Sequence, residues 1–191
     1  MRHRAQIVEE LLVLQAQDGE RGAIERLAGL YHHRLLRLAV RMVGPAQADD
    51  IVQEAWVGVL RALPRLRDPA RFRPWAFRIV ANKCRDAIRR NQRLRLHEEA
   101  LESNTDQLSA SSGNSGSEAL EDLRRAVRGL PRDQRLVLDL YYLEGLGIGE
   151  IADALGVPRG TVKSRLFHAR RRLRSQLQPS QPVCEVRSRE S

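Results

Sequence analysis

A chain of 191 residues, 42% hydrophobic, is globular in composition and long enough for one ordinary domain or two small ones. Its 33 Lys and Arg, nearly all Arg, stand against 24 Asp and Glu for a net charge of +9; guanidinium groups bind phosphates and guanine edges in bidentate fashion, so a polyanionic partner is favoured, although a solvated basic surface gives the same total. Cys84 and Cys184 have no Cys or His at ligand spacing, which argues against a disulfide framework, a metal site or a cofactor, and the acidic Glu9 and Glu10, with no apolar run of membrane-spanning length, argue for a cytoplasmic chain without membrane insertion.

Apolar residues recur at three- and four-residue spacing through most of the chain, so an all-α fold of two small helical domains is expected. From Ala23, the residues Ile24, Leu27, Leu30, Tyr31, Leu35, Leu38, Ala39 and Met42 form one stripe that ends at Gly44-Pro45. A second helix, about Ala46 to Leu63, buries Ile51, Val52, Ala55, Val59 and Leu60. Pro64 to Arg73 reads as a loop, and Pro74 as the first residue of a helix whose inner face is Phe77, Val80, Ala81, Cys84 and Ile88. Cys84 is therefore read as a core residue.

Residues 97–117 lose this periodicity and are rich in Ser, Asn and Gly, the composition of a flexible linker. From Glu98 to Asp122 there are seven acidic residues and no Lys or Arg, so the linker is negative between two basic domains, through either solubility or function. The expected division is a first domain over 1–96, a linker over 97–117, a second domain over 118–177 and a disordered tail over 178–191. Within the second domain, Pro131, Gly145 and Gly156-Val157-Pro158 separate four short helices.

Three constellations carry functional information. The first is Gly149 to Leu166, laid out as a helix-turn-helix: Ala152 is small where helices cross, Gly156 allows a positive-φ turn, and Ile151, Leu155 and Val157 fill the wedge. The following helix turns Val162, Leu166, Ala169 and Leu173 inward and Gly160, Lys163, Ser164, Phe167, His168 and Arg171 outward, towards a major groove. From Arg159 to Arg174 there are seven Lys or Arg and no acidic residue, which suits a helix lying between two phosphate backbones. The second runs from Arg65 to Arg95, with eleven Lys or Arg against Asp68 and Asp86. Phe72, Trp75 and Phe77 are interleaved with it beside Arg71 and Arg73, a pattern suited to unstacked single-stranded bases. Phe77 is read as core, and Trp75 stands open between core and base contact. The third is the acidic-apolar run Asp49 to Trp56, whose Asp49, Asp50, Gln53 and Glu54 share one edge; it presents either a protein-binding or a solvated face.

In this order the three constellations resemble the extracytoplasmic-function sigma factors of bacterial RNA polymerase over residues 20–177. The resemblance implies a non-enzymatic subunit that directs core polymerase to promoters. It assigns Asp49, Asp50, Val52, Gln53, Glu54 and Trp56 to the clamp of the largest polymerase subunit, with the flap of the second-largest as a further contact. It assigns Arg71, Phe72, Arg73, Trp75, Arg78, Asn82, Lys83, Arg85, Arg89 and Arg90 to melting and reading the minus-10 element as single-stranded DNA. Arg159, Thr161, Lys163, Ser164, Arg165, Phe167, His168 and Arg171 are assigned to the minus-35 duplex, and an anti-sigma factor is implied as a regulatory partner. Two departures stand out: Gly147-Ile148-Gly149 replaces a stronger helix start, since Gly caps less well than Ser or Thr, and His168 stands where Arg is common. A stand-alone, dimeric helix-turn-helix regulator is the competing reading; it accounts for the second domain only.

Overall fold

The computed structural model describes residues 2–98 and 118–177, so the readings of 99–117 as linker and of 178–191 as tail lie outside the described residues. The described residues form α-helices and short 3-10 turns, with no strand among them. The first bundle comprises α1 (Arg2–Gln17), α2 (Arg21–Val43), α3 (Pro45–Ala62) and α4 (Phe72–Glu98). The second comprises α5 (Glu118–Arg128), α6 (Arg132–Tyr142), α7 (Ile148–Leu155) and α8 (Arg159–Leu177).

Gly44 shows how the sequence sets the first corner. Its φ of +88° disfavours any residue with a Cβ, its N–H donates to Val40 O at 2.9 Å to close α2, and Pro45 opens α3 where no amide hydrogen is needed. Leu27, Tyr31, Leu35 and Leu38 of α2 are buried as the periodicity predicts, whereas Leu30 is exposed. The reason is angular: relative to Leu27, Leu30 turns about 60° backward while the other three turn about 20–80° forward. Leu60 of α3 is also exposed.

The stretch expected as a plain loop holds two 3-10 turns, Leu63–Arg65 and Pro69–Arg71, the second capped by Asp68, whose carboxylate accepts from the Ala70 N–H at 3.1 Å. The Gln17 side-chain amide donates to Leu63 O and Leu66 O at 2.9 and 2.8 Å, tying the first turn to α1. α4 begins at Phe72, two residues before Pro74, which still lies in the first turn, where amide hydrogens have no intrahelical acceptor. The sequence reading named no helix before Ala23. α1 sends Leu12, Val13 and Ala16 inward but leaves Ile7, Val8, Leu11 and Leu14 exposed, so it lacks the single apolar stripe that reveals a helix.

Tyr31 sits at the centre of this bundle, fully buried, edge-on to Phe72 at 5.1 Å, with its hydroxyl donating to the Glu9 carboxylate of α1. Burial, then the bond to Glu9, pushes the phenol well above its usual range. Cys84 is fully buried, as the sequence reading placed it, and burial pushes its thiol up to about 12 against a smaller downward pull from Arg132. Its neutral form therefore contributes stability that is complete below the unfolded thiol pKa and is lost as pH rises towards about 12. In a Cys184→Ser chain at pH 8, alkylation of Cys84 should run about a thousandfold slower than in the denatured chain, from thiolate fraction alone. Mass spectrometry over time measures this, and complete labelling of the native chain at the denatured rate would contradict the burial.

In the second bundle the Pro and Gly punctuation divides the helices as expected. Gly156 takes a left-handed conformation (φ 62°, ψ 36°), its N–H and that of Val157 both returning to Ala152 O, and closes α7. The weak start of α7 at Gly147 is compensated by Glu150, whose carboxylate accepts from the Gly147 N–H at 2.7 Å, half of a capping box.

The two bundles pack against each other. Leu136, Val137, Leu140, Leu146, Ile151 and Leu155 of the second belong to the same buried cluster as Leu38, Phe77 and Cys84 of the first. α7 lies on α4, and α6 meets α2. At that junction Glu144 accepts from Arg34 Nε at 2.6 Å and Arg37 Nη2 at 3.0 Å, Arg41 pairs with Asp139, and Arg132 donates to Arg41 O.

Candidate nucleic-acid interface

The outward face of α8 arises from ordinary helix geometry. Val162, Leu166 and Ala169 are buried, and this anchors the helix in one rotation. Gly160, Lys163, Ser164, Phe167, His168 and Arg171 are consequently exposed, all on the side read from the sequence. Phe167 is 61% exposed, an unusual cost for a phenyl ring in water unless it meets an apolar group such as a thymine methyl. Its ring lies 5.5 Å from that of His168.

The other residues expected at this surface differ in freedom. Arg159 is exposed and lies over Gly149, where its Nη2 would be 3.1 Å from an added Cβ. Thr161 is half-buried, and its carbonyl accepts from the Ser164 hydroxyl at 3.3 Å. Arg165 is half-buried and bound to Asp133 of α6 at 2.5 Å, so it braces α8 against α6. Arg170 lies over the rings of Tyr141 and Tyr142 and donates to the Tyr142 hydroxyl at 3.0 Å, making a cation–π contact that sequence reading missed.

The second basic surface lies along α4 and the turn before it. Arg71, Arg78, Asn82, Arg89 and Arg90 are exposed. Arg71 pairs with Asp68 at 3.4 Å, and Lys83 with Glu54 of α3 at 3.1 Å. Phe72 departs from its expected place on this surface: it is fully buried against Tyr31, because the first turn of α4 directs it into the bundle. Phe77 is likewise core, as expected. Trp75 is half-buried at 5.9 Å from Phe72, packed on the rim of the core with part of its ring reachable. Arg85 donates to Ala154 O of α7 at 3.1 Å and contacts Asn82. Arg73 is half-buried, its guanidinium close to Gly145 of the second bundle.

On α3 the acidic edge is solvent-facing, with Asp49, Asp50, Gln53 and Glu54 all exposed beside the apolar Val57 and Leu60. Val52 is a correction to the expected set: it is fully buried, facing the bundle with Ile51, Ala55 and Val59, and Trp56 is half-buried against the same core. Val57 and Leu60 are the apolar part of this face that the sequence reading missed; they lie on the helix side away from Val52 and Val59.

Among the described residues no helix is long and apolar enough to cross a membrane, and no group of three or more His, Cys, Asp or Glu could hold a metal ion.

These surfaces coincide with known families. Residues 27–94 match Sigma-70 region 2, and residues 120–173 match Sigma-70 region 4. The chain is 31% identical over 189 residues to the ECF RNA polymerase sigma-E factor of Escherichia coli (strain K12), covering 91% of this chain and 96% of that protein. It is 30% identical over 188 residues to the RNA polymerase sigma-H factor of Pseudomonas aeruginosa, covering 90% and 94%. Among solved structures, CnrH in complex with the cytosolic domain of CnrY aligns at 28% identity with a TM-score of 0.55, covering 88% of this chain and 96% of that one. The sigma factor RpoE of Bartonella quintana, solved with the anti-sigma factor NepR, shares the fold at a TM-score of 0.64 and 23% identity, covering 82% and 98%. With both DNA-facing regions matched in order and relatives aligned over nearly the whole chain, this protein belongs to the extracytoplasmic-function sigma factors, non-enzymatic subunits that direct RNA polymerase to initiate transcription at promoters.

Proposed function

We propose a division of labour among the three surfaces. The exposed face of α8, with Lys163, Ser164, Phe167 and His168 at base edges and Arg159 and Arg171 at phosphates, reads the minus-35 duplex; Thr161 and Arg165 orient that helix. Arg71, Arg73, Trp75, Arg78, Asn82, Lys83, Arg85, Arg89 and Arg90 bind the opened minus-10 strand, Trp75 offering a stacking surface and Asn82 a base-reading amide, with Phe72 holding the turn from beneath. Asp49, Asp50, Gln53 and Glu54, with Trp56 at the rim and Val52 setting the helix from inside, dock the clamp of the largest polymerase subunit, and the second bundle meets the flap of the second-largest. This reading places the chain in the cytoplasm, divides it at 1–96, 97–117, 118–177 and 178–191, and includes an anti-sigma partner of the kind named in the Bartonella complex.

The observation that carries the proposal is the face of α8: a side anchored by three buried residues and a side bearing exposed base-reading chemistry, with no acidic residue from Arg159 to Arg174. Run-off transcription with purified core polymerase, on DNA from upstream of the chain's own coding sequence, tests it. A start-site-specific transcript only in the presence of the chain is expected. Tight duplex binding without core binding or transcript would instead favour a stand-alone regulator, which should be dimeric in solution.

A further inference from the structure

The junction between the bundles is built from charged groups taken out of water. Glu144 is 4% exposed and Asp139 8%. Their partners Arg34, Arg37 and Arg41 stand at i, i+3 and i+7 on α2, one face of one helix. Buried carboxylates are tolerated when they are paired and hydrogen-bonded, and removal of one partner leaves an uncompensated buried charge. The arrangement therefore specifies this one docking geometry. A second, separate contact fits the same pose: Arg85 of α4 lies against Gly156, where an added Cβ would collide with its guanidinium, and donates to Ala154 O at 3.1 Å.

This docking treats the two DNA surfaces unequally. Arg73 and Arg85 are engaged by the second bundle, and Asn82 is held through Arg85. Lys163, Phe167, His168 and Arg171 on α8 remain exposed. We propose that the contact is an autoinhibitory latch: Glu144, gripped by Arg34 and Arg37, holds the second bundle over the minus-10 surface of α4, and the latch must open before single-stranded DNA is captured, while the minus-35 surface stays available. The masking part of this inference rests on the minus-10 assignment above; the latch itself does not.

The test uses the full chain and three variants: Glu144→Gln, the double change Arg34→Ala with Arg37→Ala, and the charge exchange Arg34→Glu, Arg37→Glu with Glu144→Arg. Far-ultraviolet circular dichroism monitors folding, small-angle X-ray scattering gives the radius of gyration, and anisotropy measures binding of mixed-sequence single-stranded and duplex DNA. The first two variants should expand. Their single-strand affinity should rise about tenfold, the gain expected when a binding-competent state goes from a tenth of the population to nearly all of it, and their duplex affinity should change less than about twofold; the exchange should restore the compact form. If Glu144→Gln and the double variant stay as compact as the parent, the latch is wrong, and the minus-10 assignment is unaffected because transcription tests it separately. If they expand without any gain for single strands, the masking claim is overturned, and the minus-10 assignment with it if transcription is also absent. Should one variant unfold, the other still decides, since each breaks the same pairs from opposite sides.

Discussion

A Phe72→Ala chain is expected to lose about 3–5 kcal/mol of folding stability, the range for removing a fully buried aromatic ring. Phe72 has no exposed surface, its ring is edge-on to Tyr31 at 5.1 Å, and it is the residue on which α4 starts. The loss would be felt twice, in the core and in the placement of Arg71, Arg73 and Trp75 just around it. Trp75→Ala, at the half-buried rim, should cost only about 1–2 kcal/mol, yet should depress promoter opening more than that loss of stability explains if the indole stacks on a base. Urea unfolding of both variants, with potassium permanganate footprinting of the opened promoter in the polymerase complex, separates the roles. A Phe72→Ala chain as stable as the parent would refute the core assignment; a Trp75→Ala chain that opens promoters normally would remove the indole from base capture.

Lys163→Ala should reduce the preference of the polymerase complex for its matched minus-35 element over a mutated one by about 10- to 100-fold, corresponding to about 1–3 kcal/mol for a good base contact. Arg171→Ala should act differently, weakening binding to all sequences alike and lowering the salt slope by about one, as loss of a phosphate contact does. The contrast follows from position: both are exposed on α8, Lys163 in its first turns where a recognition helix meets base edges and Arg171 two turns further on, beside the backbone. Competition binding across minus-35 variants at several salt concentrations measures both effects. An unchanged preference in Lys163→Ala would assign that lysine to the backbone, and a changed preference in Arg171→Ala would move the reading face along the helix. Arg165→Ala is a useful third comparison, because its bond to Asp133 makes its loss a matter of helix support.

Much of the candidate site was legible because it depends on local periodicity. Once Val162, Leu166 and Ala169 are recognised as the inner stripe of α8, the outer face follows from the helix angle alone, and the structure exposes every residue placed there. Gly156 and Gly44 were legible for a related reason, since a positive φ is a local demand that few residues besides glycine meet without strain. Phe72 and Val52 were misplaced because a motif names a stretch of chain, while side-chain direction within it depends on where the helix begins and which side is covered. α4 begins two residues earlier than Pro74 implied, and Val52 shares the inner face of α3 with Val59.

By itself the sequence determined the all-helical class, the helix-turn-helix, the division into two basic regions and the chemistry offered to DNA, all of which are written in spacing and charge over short stretches. The tertiary structure alone decided how the two bundles meet. Arg34 and Glu144 lie 110 residues apart, on either side of a segment whose composition carries no angular information, and an arginine destined for a buried pair reads in sequence like one destined for a phosphate. Only packing distinguishes them: burial of Glu144 and Asp139 makes the arginine row of α2 an internal contact, while the basic residues on the outer face of α8 remain in solvent.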